Sequence, residues 1–231
     1  MKKVSDFSDT FERYDRGLER DVLEKLDKYW DFLVETNKQF NLTAITETES
    51  AVNLHFLDSL MALPFISGKV CDVGSGAGFP GLVLAAANSE LDVTLIDSLN
   101  KRVNFLNNAA EVMGLSNVKA LHMRAEDAGS GSLRETFDCV TARAVARLDT
   151  LAEYCLPLVR VGGKFVAYKT DREEIAASEK AITILGGKIG EIHDFTLQGG
   201  EKRSIVVINK VSPTAKKYPR GQNKPRISPL K

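Results

Sequence analysis

Val70-Cys71-Asp72-Val73-Gly74-Ser75-Gly76-Ala77-Gly78-Phe79-Pro80-Gly81 is a short β-branched run with one acid in it, followed by glycine at every second position. A strand that enters a glycine-rich turn and leaves as a helix is the opening βα unit of an α/β sheet. Glycine there admits left-handed backbone angles and lets the chain approach a bound ligand closely. In a dinucleotide-binding G-x-G-x-x-G turn the third glycine would fall at position 79, where Phe79 stands. The pattern is instead Asp-x-Gly-x-Gly-x-Gly. An acid beside the turn disfavours a pyrophosphate, which seeks bare amides at a helix N-terminus, and favours a cationic ligand.

Working outward, the C-terminal side alternates β-branched runs at 69–73, 93–97, 118–123, 137–142 and 164–168 with helical stretches at 80–88, 100–113, 148–160 and 171–185. Gly114 and Gly162 stand where helix C-caps would fall. Such alternation predicts a parallel sheet covered on both faces. Two further runs, 188–195 and 204–209, are joined through Gln198-Gly199-Gly200 with no helix between them, which predicts a terminal antiparallel hairpin and seven strands in all. Upstream of the turn the spacing is helical. Leu18, Val22, Leu23, Leu26, Tyr29, Trp30, Leu33 and Val34 make one apolar stripe. Thr46 and Glu49 resemble a capping box before a second helix that stops ahead of Pro64. Three parts follow: a helical extension at 1–60, a Rossmann-like body at 61–210 and an arm at 211–231.

The 231 residues are 43% hydrophobic and 27% charged, a globular composition that excludes collagen-like and wholly disordered chains. No apolar run nears the roughly 18 residues of a membrane span. Asp6, Asp9, Glu12 and Arg13 interrupt any apolar leader, so a cytoplasmic protein is expected. Three widely spaced cysteines and the scattered His55, His122 and His193 match neither a disulfide framework nor a metal-ligand pattern. The zero net charge hides an asymmetry: 211–231 carries six cations, no acid and four prolines, so the rest of the chain is net acidic. Composition reads that tail as an extended basic arm suited to a polyanion, or as a solubilising end.

Asp97 closes the second candidate strand, 23 residues beyond Gly74, near the spacing of about 20 expected for an acid that accepts hydrogen bonds from ribose hydroxyls. An acid beside the turn and a ribose-reading acid together point to S-adenosylmethionine, which carries a sulfonium, an amino group and a ribose. The turn glycines Gly74, Gly76 and Gly78 would lie against it.

At this point the chain resembles a family, the bacterial small-subunit (16S) ribosomal RNA guanine-N7 methyltransferases, also called glucose-inhibited division protein B. The resemblance is carried by Asn41-Leu42-Thr43-Ala44-Ile45, Asn53 to Leu60, Asp72 to Gly81, Arg124-Ala125-Glu126, Thr141 to Ala146 and Lys217-Tyr218-Pro219-Arg220. Gly221 to Pro225 departs from the more proline-glycine-rich family pattern. The resemblance implies a class I S-adenosylmethionine-dependent methyltransferase fold, with small-subunit ribosomal RNA or the subunit itself as partner. It further implies that Gly74 and Phe79 line the cofactor, that Asp97 reads the ribose and that Ala125 with Glu126 borders the adenine. Arg143 would lie at the methyl-transfer pocket, as a catalytic and cofactor-contacting residue.

The implied chemistry agrees with what the chain lacks. Guanine N7 presents a lone pair and no proton, so it can attack a sulfonium methyl without a general base. There is no Asn/Asp-Pro-Pro-Tyr/Phe motif after the fourth strand, and Cys139 lies inside a strand pattern, not in a nucleophile loop. Lys101, Arg102, Arg124, Arg143, Arg147, Lys169 and the tail offer a candidate phosphate-binding rim. His55 and Asp58 read equally as a structural pair or as site-facing residues, and Tyr29 and Trp30 as core. Two rivals stay open: a methyltransferase acting on a small molecule or protein, and a non-catalytic RNA-binding assembly factor built on the same fold.

Overall fold

The computed structural model describes residues 6–14, 17–170 and 172–231. Residues 1–5, 15 and 16 of the helical extension, and Asp171, where the expected helix over 171–185 begins, lie outside the described residues. Ahead of the sheet come α1 (Asp6–Tyr14), α2 (Arg20–Asn37), α3 (Thr48–Ala51) and α4 (Asp58–Leu60), the last two joined by a π-helical stretch over Val52–Leu57. Then β1 (Lys69–Val73), α5 (Gly81–Ala87), β2 (Asp92–Asp97), α6 (Asn100–Met113) and β3 (Val118–His122) alternate. The rhythm continues through α7 (Ala125–Ser130), β4 (Phe137–Arg143), α8 (Leu148–Cys155) and β5 (Val159–Lys169). After α9 (Arg172–Ala177) and α10 (Glu179–Ile184) come β6 (Gly187–Thr196) and β7 (Lys202–Lys210), and α11 (Lys224–Ile227) lies near the C-terminus.

The sheet order is β3-β2-β1-β4-β5-β7-β6, parallel except where β7 runs antiparallel between β5 and β6. From β1 the chain winds outward through β2 to β3, then returns to β4 on the other side of β1. That reversal leaves a crevice at the carboxyl ends of β1 and β4, where ligands of open α/β sheets bind.

Successive strand residues feed opposite cores, as the two-residue strand period requires. Phe165 and Ala167 pack with α8 and α10, whereas Val166 and Tyr168 pack on the face covered by α2, α5 and α6. The face covered by α2, α5 and α6 also holds an aromatic cluster. Phe7, Trp30 and Tyr29 surround Phe56 at centroid distances of 4.8, 6.2 and 5.8 Å, and Tyr29 and Trp30 are core residues. Tyr29 donates its hydroxyl hydrogen to the Ala77 carbonyl, so the helical extension touches the glycine turn directly.

Three local readings change. The helix expected over 148–160 stops at Cys155, because Pro157 has no amide hydrogen to continue it. Gly162, expected as a helix cap, lies inside β5 at φ +84° near an irregular register between Phe137 and Cys139. The described part of 171–185 is two short helices that break at Ser178.

The tail is not an extended arm. Arg220 donates from Nε to Glu153 Oε1 at 2.8 Å and to Oε2 at 3.1 Å and from Nη2 to Oε2 at 2.6 Å, and the Arg220 amide adds a fourth bond to the same carboxylate. Arg134 clamps the Thr214 and Tyr218 carbonyls, while Tyr218 and Pro225 are buried. Composition missed this because the tail contains no acid of its own; α8 supplies one.

Candidate active site

The glycine turn leaves β1 with Gly74 at φ +70° and Gly76 at φ +58°, angles that other residues rarely adopt. The Gly74 and Ser75 amides donate to the Ile96 carbonyl at 2.8 and 3.1 Å, which staples the turn to the end of β2. A Cβ on Gly74 would meet Val145 Cγ2 at 2.7 Å. One on Gly76 would meet nothing nearer than the Gly74 carbonyl at 3.8 Å, so bare backbone faces open space there. Asp97 ends β2 with only 3% exposure and accepts from Gly76 N at 3.0 Å and Leu99 N at 2.9 Å, with Arg102 Nη1 at 3.5 Å. Two backbone amides thus hold the carboxylate in place and leave other lone pairs for hydroxyl donors.

Beside this turn lies a cavity of about 250 Å³ with Gly74, Asp97, Met123, Glu126, Val145 and Tyr154 in its wall. Ala125 and Glu126, the first residues of α7, line it as well. Its acid, bare turn and apolar patch fit the ribose and purine of S-adenosylmethionine. A second cavity, about 400 Å³, is lined by Leu54, His55, Asp58, Arg143, Tyr168 and Arg203. The segment leaving β4 divides the two: Arg143 and Ala144 line one, Val145 and Ala146 the other.

Arg143 anchors the dividing wall. Its Nη1 donates to the Leu54 carbonyl at 3.1 Å and to Asp58 Oδ2 at 2.7 Å, Nη2 bonds His55 Nδ1 at 3.2 Å, and the guanidinium lies 5.3 Å from the centre of the Phe79 ring. His55 stacks on Phe79 at 4.4 Å and bonds Thr43 Oγ1 through Nε2 at 2.8 Å. His55 and Asp58 therefore join the helical extension to the carboxyl end of β4. Burial raises the Asp58 carboxyl above its usual range, against the pull of Arg143 and Arg203.

The family match is extensive. A family described as rRNA small subunit methyltransferase G aligns with residues 22–206. The chain belongs to the rRNA small subunit methyltransferase G family. Relatives called ribosomal RNA small subunit methyltransferase G include one from Exiguobacterium sp., 49% identical over 216 residues covering 90% of this chain and 91% of that one. Another, from Bacillus subtilis, is 47% identical over 216 residues and 90% of each chain. Among solved structures, an O-methyltransferase from Bacillus cereus in complex with SAH has a TM-score of 0.58 at 16% identity, covering 79% of this chain and 90% of that one. A 16S rRNA (adenine(1408)-N(1))-methyltransferase mutant from Catenulisporales acidiphilia has a TM-score of 0.54 at 14% identity, covering 68% and 91%. At such identities these two establish the fold alone, a class I S-adenosylmethionine-dependent methyltransferase fold.

In this member of the rRNA small subunit methyltransferase G family, Gly74, Asp97, Ala125 and Glu126 share the first cavity, whereas Arg143 lines the second. Gly76, Gly78 and Phe79 line neither: the glycines form the turn, and Phe79 is buried beneath His55 and Arg143. Asn223 and Arg226 of the tail also line the first cavity, which no local signal in the sequence announced. The candidate rim is narrower than expected. Lys169 is 8% exposed and paired with Glu174 at 2.7 Å, and the part-buried Arg143 is paired with Asp58 at 2.7 Å, so both charges are already engaged. Cys139 is buried and its thiol is pushed up to about 12 by burial, which leaves no thiolate nucleophile at neutral pH.

Asp72 does not face a ligand. It is fully buried, accepting from Thr141 Oγ1 at 2.9 Å and Gly81 N at 3.2 Å, and burial raises its carboxyl to about 6. Burial, and then the Arg143 charge, push His55 down to about 4. The raised Asp72 contributes stability that is full below its usual 3.8 and is lost as pH rises through about 6. The depressed His55 contributes stability that is full above its usual 6.5 and is lost as pH falls through about 4. Between those limits the two slopes oppose, each approaching roughly 1.4 kcal/mol per pH unit. Urea unfolding of Asp72→Asn should therefore show stability falling more steeply with acid than in the wild type, and His55→Gln the opposite. Profiles parallel to wild type in both variants would contradict the assignment.

Proposed function

We propose that this protein is an S-adenosylmethionine-dependent methyltransferase that methylates N7 of a guanine in small-subunit (16S) ribosomal RNA, with Asp97, Glu126 and the glycine turn holding the cofactor. The observation that carries the reading is the pair of cavities meeting across residues 143–146 at the crevice between β1 and β4, in a chain of this family. One cavity suits the cofactor; the other takes the acceptor base.

S-adenosylmethionine supplies, when bound, a methyl group on a positively charged sulfur. Asp97 accepts from the ribose hydroxyls, and the Gly76 backbone leaves room for a close approach. Arg143, held by Asp58, His55 and the Leu54 carbonyl, fixes the wall against which donor and acceptor align. Guanine N7 needs no deprotonation, so the burial of His55 as a neutral imidazole takes nothing from the reaction. Positioning carries the rate, as expected where the attacking atom already presents its lone pair.

The chain divides functionally into the helical extension at 1–60, the catalytic body at 61–210 and the basic segment at 211–231. Arg124 lines the first cavity and, with the exposed Lys101 and Arg147, supplies sequence-independent attraction for RNA phosphates. Among the described residues no helix is long and apolar enough to cross a membrane. We place the enzyme in the cytoplasm, with ribosomal RNA or the assembling subunit as its partner.

The test is to incubate the protein with methyl-labelled S-adenosylmethionine and small subunits, or their naked RNA, from cells lacking the gene, then identify the labelled nucleoside. Label in 7-methylguanosine is expected; label in another nucleoside, or none with cofactor bound, overturns the reading. Asp97→Ala should weaken S-adenosylhomocysteine binding by roughly tenfold, the equivalent of one charge-assisted hydrogen bond. Calorimetric titration beside a thermal melt separates that loss from misfolding, and unchanged affinity removes Asp97 from the site.

A further inference from the structure

We propose that the C-terminal segment is a working wall of the cofactor site, with Asn223 and Arg226 contacting the adenosine half of S-adenosylmethionine. The inference rests on the first cavity being the cofactor site, as proposed above. Both residues line that cavity together with Asp97, Glu126 and Tyr154.

They are held there from two sides. On one, Arg220 grips Glu153 through four hydrogen bonds between 2.6 and 3.1 Å. On the other, the Pro225 carbonyl accepts from Thr150 Oγ1 at 3.2 Å, and Pro225 is buried. Both anchor points lie on α8, and so does Tyr154, the next residue after Glu153 and itself part of the cavity wall. One helix therefore supplies an inner wall and also fixes the segment that closes the outer one.

The side chains suit a purine. An asparagine amide can donate from its NH2 and accept at its carbonyl, the complement of the N7 and N6 edge of adenine. Arg226 forms no ion pair among the described residues, in contrast to Arg220, and a free guanidinium lies well against a purine face. The adenosine half is indicated because Phe79 and Arg143, which flank the other end of the crevice, do not line this cavity.

The experiment is calorimetric titration of the full chain with two probes, S-adenosylhomocysteine and methylthioadenosine, which share adenosine and differ in the amino-acid tail. Asn223→Gly and Arg226→Ala alter exposed side chains and should leave the thermal midpoint unchanged. Each should bind both probes roughly fivefold to tenfold more weakly. Wild-type affinity in both variants overturns the proposal. Tighter binding also overturns it, since the segment would then be a plug and not a wall. Loss confined to S-adenosylhomocysteine overturns the assignment to adenosine. If the wild-type chain binds neither probe, the cofactor reading itself fails, and the proposal with it, before any variant is compared.

Discussion

Arg143→Ala should lower kcat/KM for methyl transfer by about a hundredfold or more and destabilise the fold by about 3–5 kcal/mol. The stability loss follows from burial. The Arg143 and Asp58 side chains are 13% and 4% exposed at a separation of 2.7 Å, so deleting the cation strands a carboxylate that only Arg203, at 3.5 Å, still faces. The rate loss follows from geometry. One guanidinium binds Asp58, His55 and the Leu54 carbonyl while covering Phe79, so its removal frees the wall between the cavities. Cofactor affinity should fall less than rate, because Arg143 does not line the cavity that holds Asp97. The double variant Arg143→Ala/Asp58→Asn removes the stranded charge and should recover much of the stability but little of the rate. Recovery of both would reduce Arg143 to a packing role.

Glu153→Ala is expected to destabilise the protein by about 3–5 kcal/mol and to release the C-terminal segment. Glu153 is 1% exposed, and its carboxylate takes four hydrogen bonds from Arg220; without it the Arg220 charge is left partly buried and unpaired. Burial of Tyr218 and Pro225, the Arg134 clamp and the Thr150 bond to the Pro225 carbonyl remain, without the charged anchor between them. Urea unfolding reads the loss of stability, and limited digestion with trypsin reads release through faster cleavage at Lys216 and Lys217. A wild-type melt together with a protected tail would show that the ion pair does not hold the segment.

Much of the scaffold was legible because each signal was local. The helix over 100–113 coincides with α6, and Gly114 caps it at φ +70° with its amide donating to the Glu111 carbonyl at 3.0 Å. Strand boundaries at 69–73 and the terminal hairpin followed from β-branched runs and from glycines between them. The errors arose where tertiary contacts override local preference. Gly162 has the same composition cue as Gly114, yet β4 and β7 capture its neighbours as strand partners. Ser178 interrupts a pattern that reads as one helix.

The site shows the same division more sharply. That an acid 23 residues past Gly74 would stand beside the glycine turn was readable, because β1 and β2 are parallel neighbours and each ends at the same edge. That Asp72 would instead be enclosed by Thr141 and Gly81 was not, since β4 becomes the neighbour of β1 only when the sheet is assembled. The open question of His55 and Asp58 was equally beyond the sequence: their partner, Arg143, is 85 residues past Asp58.

The sequence by itself determined the order of the strands, the glycine turn, the placement of Asp97 at the end of β2 beside that turn and the family to which the chain belongs. Each is a matter of composition over a short span or of spacing within one βαβ unit. Only the tertiary structure decided that residues 143–146 separate two cavities, that Arg143 is held by the helical extension and that the basic tail folds back onto α8. Those facts depend on which distant groups meet. A buried charge finds its partner across the fold, and a tail without an acid acquires one only where Glu153 is presented to it.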